Sequence, residues 1–436
     1  MKLDDILRSI KRFIPKGVFN ALAPIYHYKL ALLGAILYRF PSKKIKVVGV
    51  MGTKGKTTTV ELINAILEEA GQKTALAGTL RIKVGEKSEP NKFKMTMPGR
   101  FFLQRFLRKA VRAKCDWAIL EMTSEGTKLF RHKFLDLDAL VFTNLSPEHI
   151  ESHGSYENYV AAKLKIAKAL AKSQKSNKTI IVNNDDKEAG KFLEADVEKK
   201  ITYSLDRAKP FFTTDHDVSL TLDGKKIIVG IPGEFNIYNI LAAVAFAKSQ
   251  RINPEIVRKA LEKFKGVRGR VEKVDEGQNF SVVVDYAHTP DSLLKLYTAF
   301  GDAKKICILG GTGGGRDRWK RKEMGRIADE HCSRIILTNE DPYDEDPRQI
   351  VGNISEGIRK APQMVIMDRR QAIMRAFESA KKGDVVLITG KGTDPYIMGP
   401  NGTKLPWDDA TVAREELKRL ATKNPKQGNS HRNGNV

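Results

Sequence analysis

The residues most ready for chemistry are a lysine and three threonines behind a glycine-rich turn. Gly52-Thr-Lys-Gly-Lys-Thr-Thr-Thr59 stands where the apolar run Lys46–Val50 gives way to a helical pattern from Thr57 to Gly71. Backbone amides in such a turn, and at the N-terminus of the helix behind it, present partial positive charge that suits phosphate oxygens. Lys56 would neutralise the outer phosphates of a nucleoside triphosphate and Thr57 would place its hydroxyl on Mg²⁺. Gly52, Thr53, Lys54, Gly55 and Thr58 would complete the cradle. The strict GxxxxGK[ST] spacing fails because position 50 is Val50, so the loop reads Gly49-x-x-Gly52-x-x-Gly55-Lys56-Thr57. A guanine-reading NKxD segment is missing from the sequence, which argues against a GTPase.

Such a loop needs a parallel sheet to hold it. Beyond Lys46–Val50, the runs Trp117–Glu121, Ala139–Thr143 and Thr179–Asn183 read as buried strands with helices between them. A second set, Ser281–Asp285, Lys305–Gly310, Arg334–Thr338 and Asp384–Gly390, begins after Val267. The expected class is α/β: a central doubly wound parallel-sheet domain carrying the phosphate loop, then a C-terminal Rossmann-like α/β domain. The expected division is a short helical segment at 1–42, the central domain at 43–266, the C-terminal domain at 267–420 and a disordered polar tail at 421–436.

The 436 residues carry a formal charge of +24, which favours polyanionic partners. The cations are spread along the chain, and neither an aromatic RNA-binding signature nor an outstanding helix-turn-helix is present, so nucleic acid is not expected as a partner. Cys115, Cys307 and Cys332 form no CxxC pair; they indicate a reducing compartment and argue against a zinc site. With no secretory signal, a cytoplasmic protein is expected. The apolar run Leu30–Phe40 is too short to span a bilayer. Residues 1–42 nonetheless combine Lys2, Arg8, Lys11, Arg12, Lys16, Lys29 and Arg39 with apolar residues and Tyr26, Tyr28 and Tyr38. That mixture suits either peripheral contact with an anionic membrane or a helical hairpin packed on the central domain.

Several segments, in order, resemble the Mur ligase family. They are the GTKGKTTT loop; Glu121-Met-Thr-Ser-Glu-Gly126 with Arg131; Phe142-Thr-Asn-Leu-Ser146 followed by Glu148, His149, His153 and Gly154; Asn158-Tyr-Val-Ala-Ala-Lys163; Asn183-Asn-Asp-Asp186; Gly233-Glu-Phe-Asn236 with Asn239; Gly269-Arg270 with Asp285-Tyr-Ala-His-Thr-Pro290; and Gly390-Lys-Gly392. The form of Asp285–Pro290 is similar to that of the tripeptide-synthetase branch. This resemblance implies an ATP- and Mg²⁺-dependent ligase that adds an amino acid to a muramyl-peptide precursor through an acyl phosphate, in peptidoglycan synthesis. Ligases resembling folylpolyglutamate or cyanophycin synthetases, and a phosphate-loop protein that has lost ligation, remain open as alternatives.

The same resemblance implies roles. Lys56, Lys163, Arg270 and His149 would be catalytic. Thr57, Glu121, His149 and Lys163 would serve the metal, with Lys163 carbamylated by CO₂ so that a cation becomes an anion. Asn236, Asn239, Arg270, Asp285 and His288 would join the loop in holding the nucleotide. Thr96, Ser124, Arg131, Arg316, Asp341, Tyr343, Gly390 and Asp394 would meet the substrates. Two departures stand out. The stretch before Val47 is too short for the UDP-binding unit of that branch. And Glu340-Asp-Pro-Tyr343 stands where diaminopimelate-adding enzymes carry DNPR, so Tyr343 replaces an arginine that would pair with a distal carboxylate.

Overall fold

Valine- and isoleucine-rich runs bounded by turns become the strands of two sheets. The computed structural model describes residues 16–93, 95–148, 150–315 and 318–423. The first sheet contains β1 (Lys46–Met51), β2 (Thr74–Ala77), β3 (Arg81–Val84), β4 (Lys87–Pro90), β5 (Trp117–Met122), β6 (Ala139–Phe142), β7 (Thr179–Asn183) and β8 (Lys199–Tyr203), in the order β4-β3-β2-β5-β1-β6-β7-β8. From β2 to β8 the neighbours are parallel, while β3 and β4 add an antiparallel edge. Strands β5, β6 and β7 are buried throughout and β1 is buried after Lys46, as strands covered on both faces must be. Strand order reverses at β1, so the crevice of this sheet opens at the carboxyl end of β1, where the glycine-rich loop begins.

The helix Lys56–Glu69 leaves that loop and packs against the helix Glu234–Ser249. The latter is apolar on nearly all sides, with Ile237, Ile240, Ala243 and Phe246 fully buried. Such a helix needs cover all round. It shares one core with the helix Lys56–Glu69 and with a small antiparallel sheet of β9 (Phe212–Thr213), β10 (Val218–Leu222) and β11 (Lys225–Val229).

The second sheet contains β12 (Glu272–Lys273), β13 (Ser281–Asp285), β14 (Lys305–Leu309), β15 (Arg334–Leu337), β16 (Gln363–Val365) and β17 (Val385–Thr389), in the order β12-β13-β17-β14-β15-β16. All but β12 run parallel. A hairpin of β18 (Tyr396–Met398) and β19 (Lys404–Pro406) follows. The α/β class expected from the sequence is the class observed.

Some local readings change. A single helix, Lys16–Leu37, occupies the described part of the N-terminal segment, and it ends before Pro41 because Arg39 and Phe40 take left-handed backbone. Residues 1–15 and 424–436 lie outside the described residues, and the helix Asp409–Lys423 extends past position 421. Against the reducing compartment expected from the sequence, Cys307 and Cys332 form a disulfide, leaving Cys115 free and buried. The crossover from β14 to its neighbour β15 brings the two Cα atoms to 6.1 Å, within bridging range. The edge strands β3 and β4 escaped the sequence reading because they are short and, in β4, exposed at every position. Among the described residues, no helix is long and apolar enough to cross a membrane.

Candidate active site

The loop after β1 is shaped by its glycines. Gly55 has a φ of 80°, and a Cβ there would lie 2.2 Å from Asn239 Oδ1, so the position demands glycine twice over. Gly55 caps the helix Lys56–Glu69 without any side-chain acceptor, leaving the first amides of the helix for a ligand. Neighbours brace the loop: Lys54 N donates to Asn144 Oδ1 at 2.9 Å, and Thr143 Oγ1 donates to the Lys54 carbonyl at 2.7 Å. Thr53 Oγ1 lies 2.9 Å from Tyr159 Oη.

Register places the first carboxylate. Val50 of β1 pairs with Glu121 of β5, so Glu121 stands beside the loop at the carboxyl edge of the sheet, only 3% exposed. Thr57 Oγ1 donates to both its oxygens at 3.2 Å, Thr79 N to Oε2 at 2.8 Å and Thr79 Oγ1 to Oε1 at 2.9 Å. Thr96 Oγ1 lies 2.9 Å from Thr79 Oγ1. Among the described residues, no three His, Cys, Asp or Glu side chains converge on one point. The Thr57 hydroxyl and Glu121 carboxylate are nonetheless the hard oxygen pair that Mg²⁺ accepts when waters and phosphates supply the remaining ligands.

Cations crowd the same space. Lys56 Nζ donates to the Thr53 carbonyl at 2.9 Å, Lys163 Nζ donates to the Gly52 carbonyl, and Lys54 Nζ pairs with Glu148 at 3.1 Å. Burial lowers the pKa of Lys56, with Glu121 and Glu148 pulling it back up. Burial, reinforced by the positive charge of Lys56, drives Lys163 well below its ordinary value. Positive charge in this space is poorly solvated, so an added polyanion would be strongly favoured there. From the second sheet, His288 brings Nε2 to within 3.9 Å of Glu148, and its Nδ1 lies 2.7 Å from the Tyr286 carbonyl. Burial and then Lys54 hold this imidazole well below its usual range. The Arg270 guanidinium lies 4.4 Å from the centre of the Tyr286 ring, and its buried Nε has no hydrogen-bond partner. Asp285 accepts from Val271 N and Ala287 N, both at 2.7 Å, and so fixes the turn that presents Arg270 and His288. Asn236 and Asn239 are joined at 2.9 Å on the helix behind Gly55.

These groups line one cleft of about 1190 Å³ between the carboxyl edges of the two sheets. Its far wall comes from the second sheet: Glu340, Asp341, Tyr343, Gly390 and Asp394. Lys391, which is not exposed at all, donates to Asp341 at 2.9 and 3.0 Å, to Asp394 at 3.0 Å and to the Tyr396 carbonyl at 2.7 Å. Burial disfavours its charge, but Asp341 and Asp394 outweigh that and raise its pKa. Glu340 accepts from Thr312 Oγ1 at 2.7 Å through Oε1, while its buried Oε2 has no partner. Burial and then Asp341 push the Glu340 carboxyl above its usual pKa.

The structure thus gathers Gly52, Thr53, Lys54, Gly55, Lys56, Thr57, Thr58, Thr96, Glu121, Ser124, Lys163, Asn236, Asn239, Arg270, Asp285, His288, Asp341, Tyr343, Gly390 and Asp394 around one cleft. His149 and Arg316 lie outside the described residues. Arg131 lies next to the cleft lining, with Nη1 donating to the Met97 carbonyl and 2.7 Å from Met95 Sδ, and so braces the segment that carries Thr96. Thr79, Glu340 and Lys391 were missed. An isolated threonine carries no signal, and Lys391 gains its meaning only from Asp341, fifty residues earlier in the chain.

Residues 50–247 match the Mur ligase middle domain, and residues 269–392 match the Mur ligase, glutamate ligase domain. A UDP-N-acetylmuramoyl-L-alanyl-D-glutamate–2,6-diaminopimelate ligase of Syntrophomonas wolfei is 39% identical over 406 residues, which cover 89% of this chain and 81% of that protein. A UDP-N-acetylmuramyl-tripeptide synthetase of a Roseiflexus species is 35% identical, over 90% of this chain and 82% of its own. Among solved structures, a UDP-N-acetylmuramoyl-L-alanyl-D-glutamate–2,6-diaminopimelate ligase superposes with a TM-score of 0.57 at 28% identity, covering 86% of this chain and 79% of that one. The Mycobacterium tuberculosis folylpolyglutamate synthase shares the fold, with a TM-score of 0.67 at 14% identity over 89% of this chain and 94% of its own.

Proposed function

The chain belongs to the Mur ligase family, and on that footing we propose that it joins an amino acid to the carboxylate of a muramyl-peptide precursor at the expense of ATP. The observation that carries this reading is the meeting of Lys56, Thr57, Glu121 and Lys163 with Arg270 and His288 across a single cleft.

An amide cannot form from a carboxylate until its oxygen becomes a leaving group. The acceptor carboxylate attacks the γ-phosphorus of ATP, ADP departs, and an acyl phosphate remains. The incoming amine then attacks the acyl carbon; inorganic phosphate leaves and the amine gives up a proton. The first step brings several negative charges together, so fixed cations at the transferring phosphate lower its barrier. Lys56 and the helix amides would hold the outer phosphates, and Arg270 would approach them from the second sheet. Thr57 and Glu121 would hold Mg²⁺, which supplies charge neutralisation at the phosphate oxygens. Closure of the second sheet over the first would keep water from the acyl phosphate. Phosphate release should therefore require both the muramyl dipeptide acceptor and an amino acid, with the ligated product read by mass. Release that neither substrate stimulates would leave a phosphate-loop protein without ligation.

The far wall bears on which amino acid is added. Tyr343 offers a neutral phenol, Lys391 is committed to Asp341 and Asp394, and the buried Oε2 of Glu340 has no hydrogen-bond partner. A distal carboxylate would be desolvated opposite an acid. Losing a charge-assisted pair costs about 1.5–3 kcal/mol, so kcat/KM for diaminopimelate should fall below that for lysine by roughly tenfold or more. Steady-state kinetics with both amino acids checks this. A clear preference for diaminopimelate would mean that another cation, such as Arg316 or Arg348, receives the second carboxylate.

A further inference from the structure

The helix Lys16–Leu37 is inverted for an element that only packs on its own protein. Its inward side is mostly small: Ala31, Gly34 and Ala35 are buried toward the helix Arg100–Arg112, with the Tyr28 ring set 5.3 Å from that of Phe134. Its outward side is large: Leu22, Ile25, Leu33, Ile36 and Leu37 are 53–63% exposed. Positions 22, 25, 29, 33, 36 and 37 fall on one helical stripe, so these five side chains and the exposed Lys29 form a continuous apolar face with one cation in it. A surface helix normally turns its large apolar residues inward.

The neighbouring helix adds charge of a single sign. From Arg100 to Lys114 the sequence has no acidic residue, and Arg105, Lys109 and Arg112 point outward. None of Lys29, Arg105, Lys109 and Arg112 has a carboxylate partner among the described residues. The basic residues Lys2, Arg8, Lys11 and Arg12 precede the helix in sequence. Beside the cleft, the helix Arg100–Arg112 is flanked by further exposed apolar groups. The Phe93 ring lies 5.1 Å from that of Phe102 on the helix Arg100–Arg112, Phe93 and Met95 are 53% and 44% exposed, and Met95 and Thr96 line the cleft.

We propose that the paired helices Lys16–Leu37 and Arg100–Arg112 form a docking face for an anionic membrane surface, which holds the cleft at the lipid boundary. Apolar side chains flanked by unpaired cations are the composition that an interface of acyl chains under anionic headgroups recognises. A second copy of the chain is a poorer occupant, because a two-fold contact through this face would set Arg105, Lys109 and Arg112 against like charges. The net charge of +24 adds long-range attraction to the same surface. This inference does not depend on the ligase reading.

The test is flotation of the full chain with vesicles of phosphatidylcholine alone and of phosphatidylcholine with phosphatidylglycerol. The protein should float with the anionic vesicles only, and less so at high salt. Leu33→Ser with Ile36→Ser, and separately Arg105→Glu with Lys109→Glu and Arg112→Glu, should each cut the bound fraction by about tenfold or more. Each variant should keep the wild-type circular dichroism spectrum and melting temperature, which shows that it remains folded. Absence of wild-type binding at low salt would overturn the proposal, as would wild-type binding by both variants. A dimer in sedimentation velocity that the Leu33 and Ile36 changes dissociate would assign the face to a second copy and overturn it as well.

Discussion

Lys56→Ala should abolish ligation while leaving the protein folded. Lys56 begins the helix behind the phosphate loop, and its ammonium lies within the cleft, 2.9 Å from the Thr53 carbonyl. In the apo-protein this charge is desolvated, and burial already lowers its pKa. Its compensating partner is the triphosphate, whose charge is greatest as the phosphoryl group transfers. Removing one pre-positioned electrostatic donor from a developing anion typically costs about 10²–10³ in rate. Lys56 contributes a full charge rather than a dipole, so the loss should lie at or beyond the upper end of that range. Stability should be unchanged or slightly higher, because the alanine variant no longer buries an unfavourable cation. Acceptor-dependent phosphate release and a thermal melt check the two halves. Turnover within a few-fold of wild type would remove Lys56 from the phosphate site.

Lys163 should carry a carbamate in the active enzyme, and Lys163→Ala should be inactive. Its amine is buried beside the loop, and burial with the nearby Lys56 depresses its pKa well below 10.5. A neutral amine attacks CO₂, whereas an ammonium cannot, so the depression makes the modification accessible near neutral pH. The product is an anion in a setting of Lys54, Lys56 and Arg270, where a negative group is favoured and can share a cation with Thr57 and Glu121. Loss of that anion should cost on the order of 10³ in turnover, and formate or acetate should restore part of it. Isotopically labelled CO₂ should give a carbamate resonance that the alanine variant lacks. The pH dependence has a definite sign. A lysine with a lowered folded pKa binds fewer protons folded than unfolded, so in CO₂-free buffer its presence destabilises the fold at neutral pH, and the penalty fades as pH rises toward 10.5. The stability advantage of Lys163→Met over wild type should shrink in the same direction. An unmodified lysine together with an active alanine variant would refute the assignment.

What the sequence determined alone was local or periodic. The glycine-rich loop declares itself because φ above zero, a helix N-terminus and a lysine must coincide within a few residues. The parallel strands declare themselves because burial on both faces demands near-continuous apolar runs. The motifs that resemble the Mur ligase family, taken in order, extended this to Glu121, Lys163, Arg270 and His288. The tertiary structure decided whatever depends on register and side-chain direction. Pairing of Val50 with Glu121 aims the carboxylate at Thr57 and Thr79. The crossover between β14 and β15 joins Cys307 to Cys332, which spacing alone had left apart. Arg131 braces the Met95–Met97 segment, and Lys391 draws Asp341 and Asp394 into a buried ion cluster. The helix Lys16–Leu37 reads as apolar in any case, but only its packing shows that Ala31, Gly34 and Ala35 face the protein and Leu22, Ile25, Leu33, Ile36 and Leu37 face outward. In each instance the partner is distant in the chain, and a sequence records which groups exist before the fold settles which of them meet.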